Sequence, residues 1–264
     1  MRYHGALHLH SHYSYDAKLG LAELKDILRE RGASFACVTE HTDEMTQEAA
    51  ERFVAECRAL SDATFCMIPG FEISYEDTHI LAPGCTTFLA QHPTEAQLRE
   101  WRTHAPLMIL AHPHRNGYHD RAPHGMIDGI EVWNAQYDGK LVPRNGARAL
   151  LARARKEQQA LRAFAGWDLH REAHAGGPLI AVDAPELTEE AIIKALTDGA
   201  YALRSAVVEV GPDGSMSGAD PRWVAALSTC YVQVIRAGKV VNRILAWFGL
   251  RLPKKLVAVV RGRL

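Results

Sequence analysis

Between Ala6 and Leu203, short apolar runs alternate with amphipathic segments about seven times, and no Pro/Gly/Ser-rich linker intervenes before residue 205. That rhythm is the strongest constraint on the fold, because strand–helix–strand repeats build parallel sheets covered by helices. Leu21, Leu24, Ile27 and Leu28 recur at helical spacing, and Gly32 follows as a C-cap. Ser34 to Thr39 reads as a buried strand, and Phe53, Val54, Cys57 and Leu60 share one face of a second helix. The spacing predicts a basic helix over Arg144 to Gln159 and another that starts at the cap Thr188 and stops at Gly199. Trp133 and Trp167 are expected in the core. One parallel α/β barrel over residues 1–210 accounts for this pattern better than two domains, with 211–264 as a loop and a basic amphipathic extension.

Polar residues gather where the apolar runs end, which is where barrel enzymes build their sites. In Ala6–Asp16 the strand period of two projects His8 and His10 from one face, with Leu7 and Leu9 on the other. Paired imidazoles suit a divalent ion, and a core strand has little other reason to carry them. Asp168-Leu169-His170 repeats the arrangement. Asp16, His41, Glu72, His79 and His112 complete a set of nine candidate ligands, more than one tetrahedral ion needs. Two or three divalent ions fit such a set, zinc, manganese or iron by ligand type, with Glu72 placed to bridge a pair.

Composition narrows the compartment and the partners. The five cysteines form no Cys-x-x-Cys pair, which points to a reducing, cytoplasmic setting and away from a cysteine zinc site. The N-terminus shows no signal-peptide pattern, and no run of 18 apolar residues occurs. From Arg222 onward there are nine Lys or Arg and no Asp or Glu, so the preceding residues carry −10 against a total of −1. This tail is compatible with anionic lipid or RNA, although a helix packed on the barrel is the favoured reading.

The ordered motifs, His-x-His, Thr-Glu-His, Gly-Phe-Glu, a His soon after, Ala-His-Pro, Ile-Glu-Val-Trp-Asn and Asp-x-His, resemble the polymerase and histidinol phosphatase (PHP) superfamily across residues 5 to 205. The resemblance implies a distorted (β/α)7 barrel with a trinuclear metal centre that hydrolyses phosphoesters. It implies one ion on His8, His10, Glu72 and Asp168, a second on Glu72, His79 and His112, and a third on Asp16, His41 and His170. Glu40 stands where many members carry Asp, and is expected to orient a ligand.

In that chemistry metal-activated hydroxide attacks phosphorus while the ions offset phosphoryl charge, with Glu72, Asp168 and His170 at the catalytic positions. Arg115 and Arg171 are candidates to bind the substrate phosphate. The expected substrate is a phosphorylated small molecule or nucleotide, and nucleic acid also suits the ions. Glu131 and Asn134 are candidate supports for a ligand, and His12, His114, His119 and His124 fall in loops. Two alternatives are an amidohydrolase and a catalytically silent metal-binding module. Many amidohydrolases bridge their metals with a lysine, and none occurs between His41 and His112.

Overall fold

The apolar half of β1 (Arg2–Leu9) is buried, as expected of a central strand. A computed structural model describes residues 1–113, 125–218 and 220, with single positions between 222 and 247. After β1 come α1 (Leu21–Glu30), β2 (Phe35–Val38), β3 (Glu40–His41) and α2 (Gln47–Leu60). The chain continues through β4 (Cys66–Ile68), β5 (Gly70–Tyr75), β6 (Thr78–Pro83), α3 (Glu95–His104), β7 (Ile109–Leu110) and β8 (Gly129–Asn134). Then follow α4 (Asn145–Ala154), β9 (Arg162–Gly166), β10 (Leu179–Asp183), α5 (Glu189–Asp198), β11 (Tyr201–Arg204), β12 (Glu209–Val210) and β13 (Met216–Ser217).

Local chemistry explains the helix boundaries. Thr46, Thr94 and Thr188 each accept a backbone N–H in the first turn of α2, α3 and α5. Gly199 ends α5 at φ +80°, a left-handed conformation that costs glycine little. Inward faces such as Leu21, Leu24 and Leu28 of α1 join one apolar core that also encloses Trp133 and Trp167. α4 is shorter than its expected span, because the chain turns after Ala154 and both Glu157 and Gln158 bond back to its carbonyl.

The strands form a mixed α/β structure of two hydrogen-bonded sheets, ordered β13-β12-β11-β10-β1-β2-β4 and β3-β5-β6-β7-β8-β9. Antiparallel pairs in both sheets depart from the all-parallel barrel expected. β2 gives way to β3 across Thr39 alone, and β4 to β5 across Pro69 alone, so the chain changes sheet in mid-run. Proline has no N–H for the ladder, which explains the break at Pro69. A parallel bridge between Leu9 and Leu169 joins β1 to the segment after β9. β6 is antiparallel to β5 and β7, since only Glu76 and Asp77 separate it from β5, and a two-residue link permits no crossover. β10 to β13 are antiparallel on the far side of β1, and Met216–Ser217 pairs with β12 within the stretch expected to be loop. The described positions from 222 to 247 are helical and mostly exposed, Trp223 and Trp247 among them; the rest of the basic tail lies outside the described residues. No helix among the described residues is long and apolar enough to cross a membrane.

Several strands end or kink at the polar cluster: β1 bulges at His8, β3 ends at His41 and β9 ends two residues before Asp168. Gly70 is the tightest point in the hairpin, where a Cβ would lie 2.6 Å from the Ala82 carbonyl oxygen and 2.8 Å from Pro83 Cα. Gly70→Ala is therefore expected to force β5 and β6 apart and to cost about 1–3 kcal/mol, read as a lower urea midpoint.

Candidate metal centre

Glu72, on β5, is buried at the middle of the cluster. Its Oε2 lies 3.1 Å from His8 Nε2, 3.1 Å from His10 Nε2 and 3.4 Å from His41 Nδ1. Its Oε1 lies 2.6 Å from His79 Nδ1 and 3.0 Å from His112 Nε2. Asp168 Oδ1 stands 3.6 Å from His8 Nε2, 3.8 Å from His10 Nε2 and 3.4 Å from His170 Nδ1. Asp16 closes the open side, with 3.1 Å to His170 Nε2 and 3.7 Å to His41 Nε2. All nine sequence candidates are thereby brought together.

The way His8 and His10 converge differs from simple alternation. The β1–β2 register shifts between Leu7 and Leu9, and His8 sits in that bulge at φ +62°. His112 at φ +26° and Asp168 at φ +51° are likewise in the left-handed region, uncommon for residues with side chains. Strain of this kind concentrates at functional sites, where surrounding structure over-determines the backbone.

Outer hydrogen bonds decide which imidazole nitrogen faces inward. Glu131 Oε1 is 2.9 Å from His8 Nδ1, while its Oε2 accepts the His112 backbone N–H at 2.7 Å and Asn134 Nδ2 at 3.0 Å. The Ser14 hydroxyl donates to Glu40 at 2.5 Å, so its oxygen accepts from the His41 backbone N–H and from His10 Nδ1 at 3.2 Å. His170 Nδ1 lies 3.1 Å from the Asp168 carbonyl oxygen. Each of these imidazoles thus places Nδ1–H outward and turns Nε2 towards the carboxylates. Glu40 also accepts from Ser11 N at 2.9 Å and Ser11 Oγ at 2.6 Å, so the glutamate acts on the ligands through two serines. Burial raises its carboxyl to about 7 despite those bonds.

The electrostatics call for a cation. Burial, with His41 and His170 close by, pushes His10 down to about 3, so its ring is neutral near pH 7. Its buried Nε2, like His41 Nδ1, has no hydrogen-bond partner. Burial opposes charge on His8 too, but Glu72, Glu131 and Asp168 outweigh it and hold His8 well above its ordinary value. Burial would raise Glu72, yet His8 and His41 hold it well below the usual carboxylate range. Lone pairs of a neutral imidazole and of a carboxylate face each other here, an arrangement that a divalent ion between them stabilises. Donor atoms in four overlapping sets lie within 4.8 Å of one another: His10, His41, His170; His8, His10, Glu72; His8, His112, Asp168; and His41, Glu72, His79. The residues present fit divalent ions, and the sets overlap through His8, His10, His41 and Glu72 rather than dividing into separate trios.

The sequence profile of the PHP domain matches residues 6–163. The chain belongs to the PHP domain family. Its fold is similar to that of a two-domain protein from Bacteroides vulgatus containing a predicted PHP-like metal-dependent phosphoesterase, at TM-score 0.59 and 16% identity, over 80% of this chain and 67% of that one. PsfC from Pseudomonas syringae is similar at TM-score 0.54 and 18% identity, over 88% of this chain and 98% of that one. Endonuclease Q, in complex with a 27-mer duplex carrying an abasic lesion, is similar at TM-score 0.53 and 15% identity, with 84% of this chain covering 61% of that one. No curated protein matches the chain.

Not every sequence candidate of this PHP chain reaches the cluster. Arg171 is exposed at the start of the short 3-10 turn Glu172–His174. Arg115, with His114, His119 and His124, lies outside the described residues. His12 is exposed. Ser11, Ser14 and Gly166 carry roles that the sequence reading did not assign. A Cβ on Gly166 would lie 2.0 Å from Glu131 Oε1 and 2.6 Å from His8 Cβ. The only signal in the sequence was a glycine ending an apolar strand one residue before Trp167.

Gly166→Ala should displace Glu131 and His8 together and lower the bound metal by tenfold or more, measured by elemental analysis of purified protein. Loading the metal-free protein should release protons near pH 7, because His8 must give up the proton that Glu72, Glu131 and Asp168 favour. Affinity should therefore rise with pH throughout the range below the raised His8 value and level off above it. Calorimetric titrations in buffers of different ionisation enthalpy will show this as a buffer-dependent heat.

Proposed function

We propose that this PHP-family chain hydrolyses phosphoesters, using two or three divalent ions held by His8, His10, Asp16, His41, Glu72, His79, His112, Asp168 and His170. The observation that carries the reading is the single buried carboxylate of Glu72 within 3.4 Å of nitrogens from five imidazoles. Membership of the PHP family supports it. Bound zinc, manganese or iron would supply Lewis acidity, activating water to hydroxide near neutral pH and offsetting charge on the phosphoryl group. The protein's own part is positional. Glu131, Ser14 and the Asp168 carbonyl orient three imidazoles, and Glu72 spans the sets. Asp168 and His170 stand beside Asp16 at the more open side, where substrate would enter.

The two sheets, joined at Leu9–Leu169 and interrupted at Thr39 and Pro69, support reading the fold as a distorted seven-stranded barrel. We assign residues 1–210 to the phosphoesterase unit and 211–264 to an appended extension. The buried, unpaired thiols of Cys37, Cys57, Cys66 and Cys85 favour a reducing, cytoplasmic setting. Arg115 and Arg171 are retained as candidate phosphate contacts. A carboxylate, Glu72, holds the middle of the cluster, and no lysine occurs between His41 and His112 to bridge ions as in many amidohydrolases, which favours the phosphoesterase.

His10→Ala or Asp168→Ala should abolish metal-dependent release of phosphate while leaving a folded, less stable protein. Assays of aryl phosphates with added manganese, zinc or iron, alongside circular dichroism, measure both. Wild-type turnover in either variant would refute the ligand assignment.

A further inference from the structure

The segment that begins at Arg222 has no part in the metal centre, yet it presents an ordered apolar surface. Between residues 222 and 247 every described position is helical, and all but the half-buried Gly238 are exposed. Trp223, Ala226, Cys230, Val234, Ala237 and Val241 follow one another at intervals of three or four residues, the spacing of one helical face. Trp223 is 70% exposed, Val234 51% and Val241 44%. A helix packed on the barrel, as expected from the sequence, would bury this stripe. We propose that the segment is a membrane-surface helix, which lays the stripe into a bilayer that bears anionic lipid. The inference is independent of what the metal centre hydrolyses.

Charge selects the partner. From Arg222 onward the sequence holds nine Lys or Arg and no Asp or Glu. Arg236, Lys239 and Arg243 are also three and four apart, at positions that a 3.6-residue period sets opposite Val234, Ala237 and Val241. A second copy of the segment would gather these cations with no acid to offset them, which disfavours a helical pair. Nucleic acid would engage the cations through its phosphates but offers no apolar phase to the valines. A bilayer surface meets both needs, because acyl chains cover the stripe while anionic headgroups attract Lys and Arg. Tryptophan favours that boundary, where Trp223 and the 93% exposed Trp247 would sit.

The contact is with one leaflet. The longest stretch here without a charge, residues 223–235, has 13 residues, short of the roughly 18 that a spanning helix needs. Among the described residues no helix is long and apolar enough to cross.

The test is co-sedimentation of the full chain with vesicles of phosphatidylcholine alone or of phosphatidylcholine mixed equally with phosphatidylglycerol. Partition onto the mixed vesicles should be at least tenfold stronger, and added salt should weaken it. Trp223→Glu and Val234→Glu should each cut that partition tenfold. Thr229→Glu adds the same charge at an exposed position off the stripe and should cut it less than threefold. All three positions are exposed, so Tm and bound metal should match wild type, which separates lost docking from lost folding. Tryptophan emission should shift to the blue on the mixed vesicles and stay put in the Trp223→Phe, Trp247→Phe double variant, since Trp101, Trp133 and Trp167 are buried. Equal partition onto the two vesicle types, or equal losses in Val234→Glu and Thr229→Glu, overturns the proposal. Dimerisation or binding of an RNA oligomer without vesicle binding also overturns it, and assigns the stripe to a second copy or to nucleic acid.

Discussion

A buried carboxylate must be compensated, and the centre of this protein is organised by how Glu72 is compensated. No lysine or arginine approaches it among the described contacts; five imidazoles do. Protonating all five would crowd like charges into a space where neighbouring ring centroids are only 4.4 to 5.7 Å apart. Leaving all five neutral would strand lone pairs against an anion. Neither state is stable alone, and the outer hydrogen bonds from Glu131, Ser14 and the Asp168 carbonyl remove the freedom to escape by ring flips. The fold thereby stores a demand for cations at one place.

Backbone geometry meets that demand with strands that stop or bend. His8 in a bulge, His112 just past β7, and Asp168 just past β9 all adopt left-handed backbone conformations. Regular pleating would send alternate side chains to opposite faces; these departures turn successive polar residues to the same point. The sheet changes at Thr39 and Pro69 serve a similar end, because they deliver His41 and Glu72 immediately after the switch, in register with each other.

Much of the site was legible because metal ligands are chemically distinctive and lie at strand ends, where periodicity breaks. The pairs at His8/His10 and Asp168/His170 and the lone Glu72 needed no structure to be noticed. What stayed hidden has physical reasons. α3 buries only Leu98 and Trp101, too few to raise a helical period, although Thr94 and Gln97 form its capping box. The antiparallel turn of β5–β6 lacks the Asn-Gly or Asp-Gly signature that marks tight hairpins, so the strand direction was not evident. Gly166 matters because of what stands opposite it, and a sequence does not say what stands opposite. The serines that carry Glu40's influence are ordinary loop residues until folded beside it.

The hairpin turn carries a further implication. Glu76 and Asp77 alone join the strand bearing Glu72 to the strand bearing His79, with Glu76 at φ +49°. Ladder bonds from Gly70–Pro83 to Tyr75–Thr78 clamp both strands independently of that tip. Its two residues can therefore be exchanged or extended without disturbing the rungs beneath. Descendants of such a scaffold could acquire new diets through the tip while inheriting the same inorganic engine.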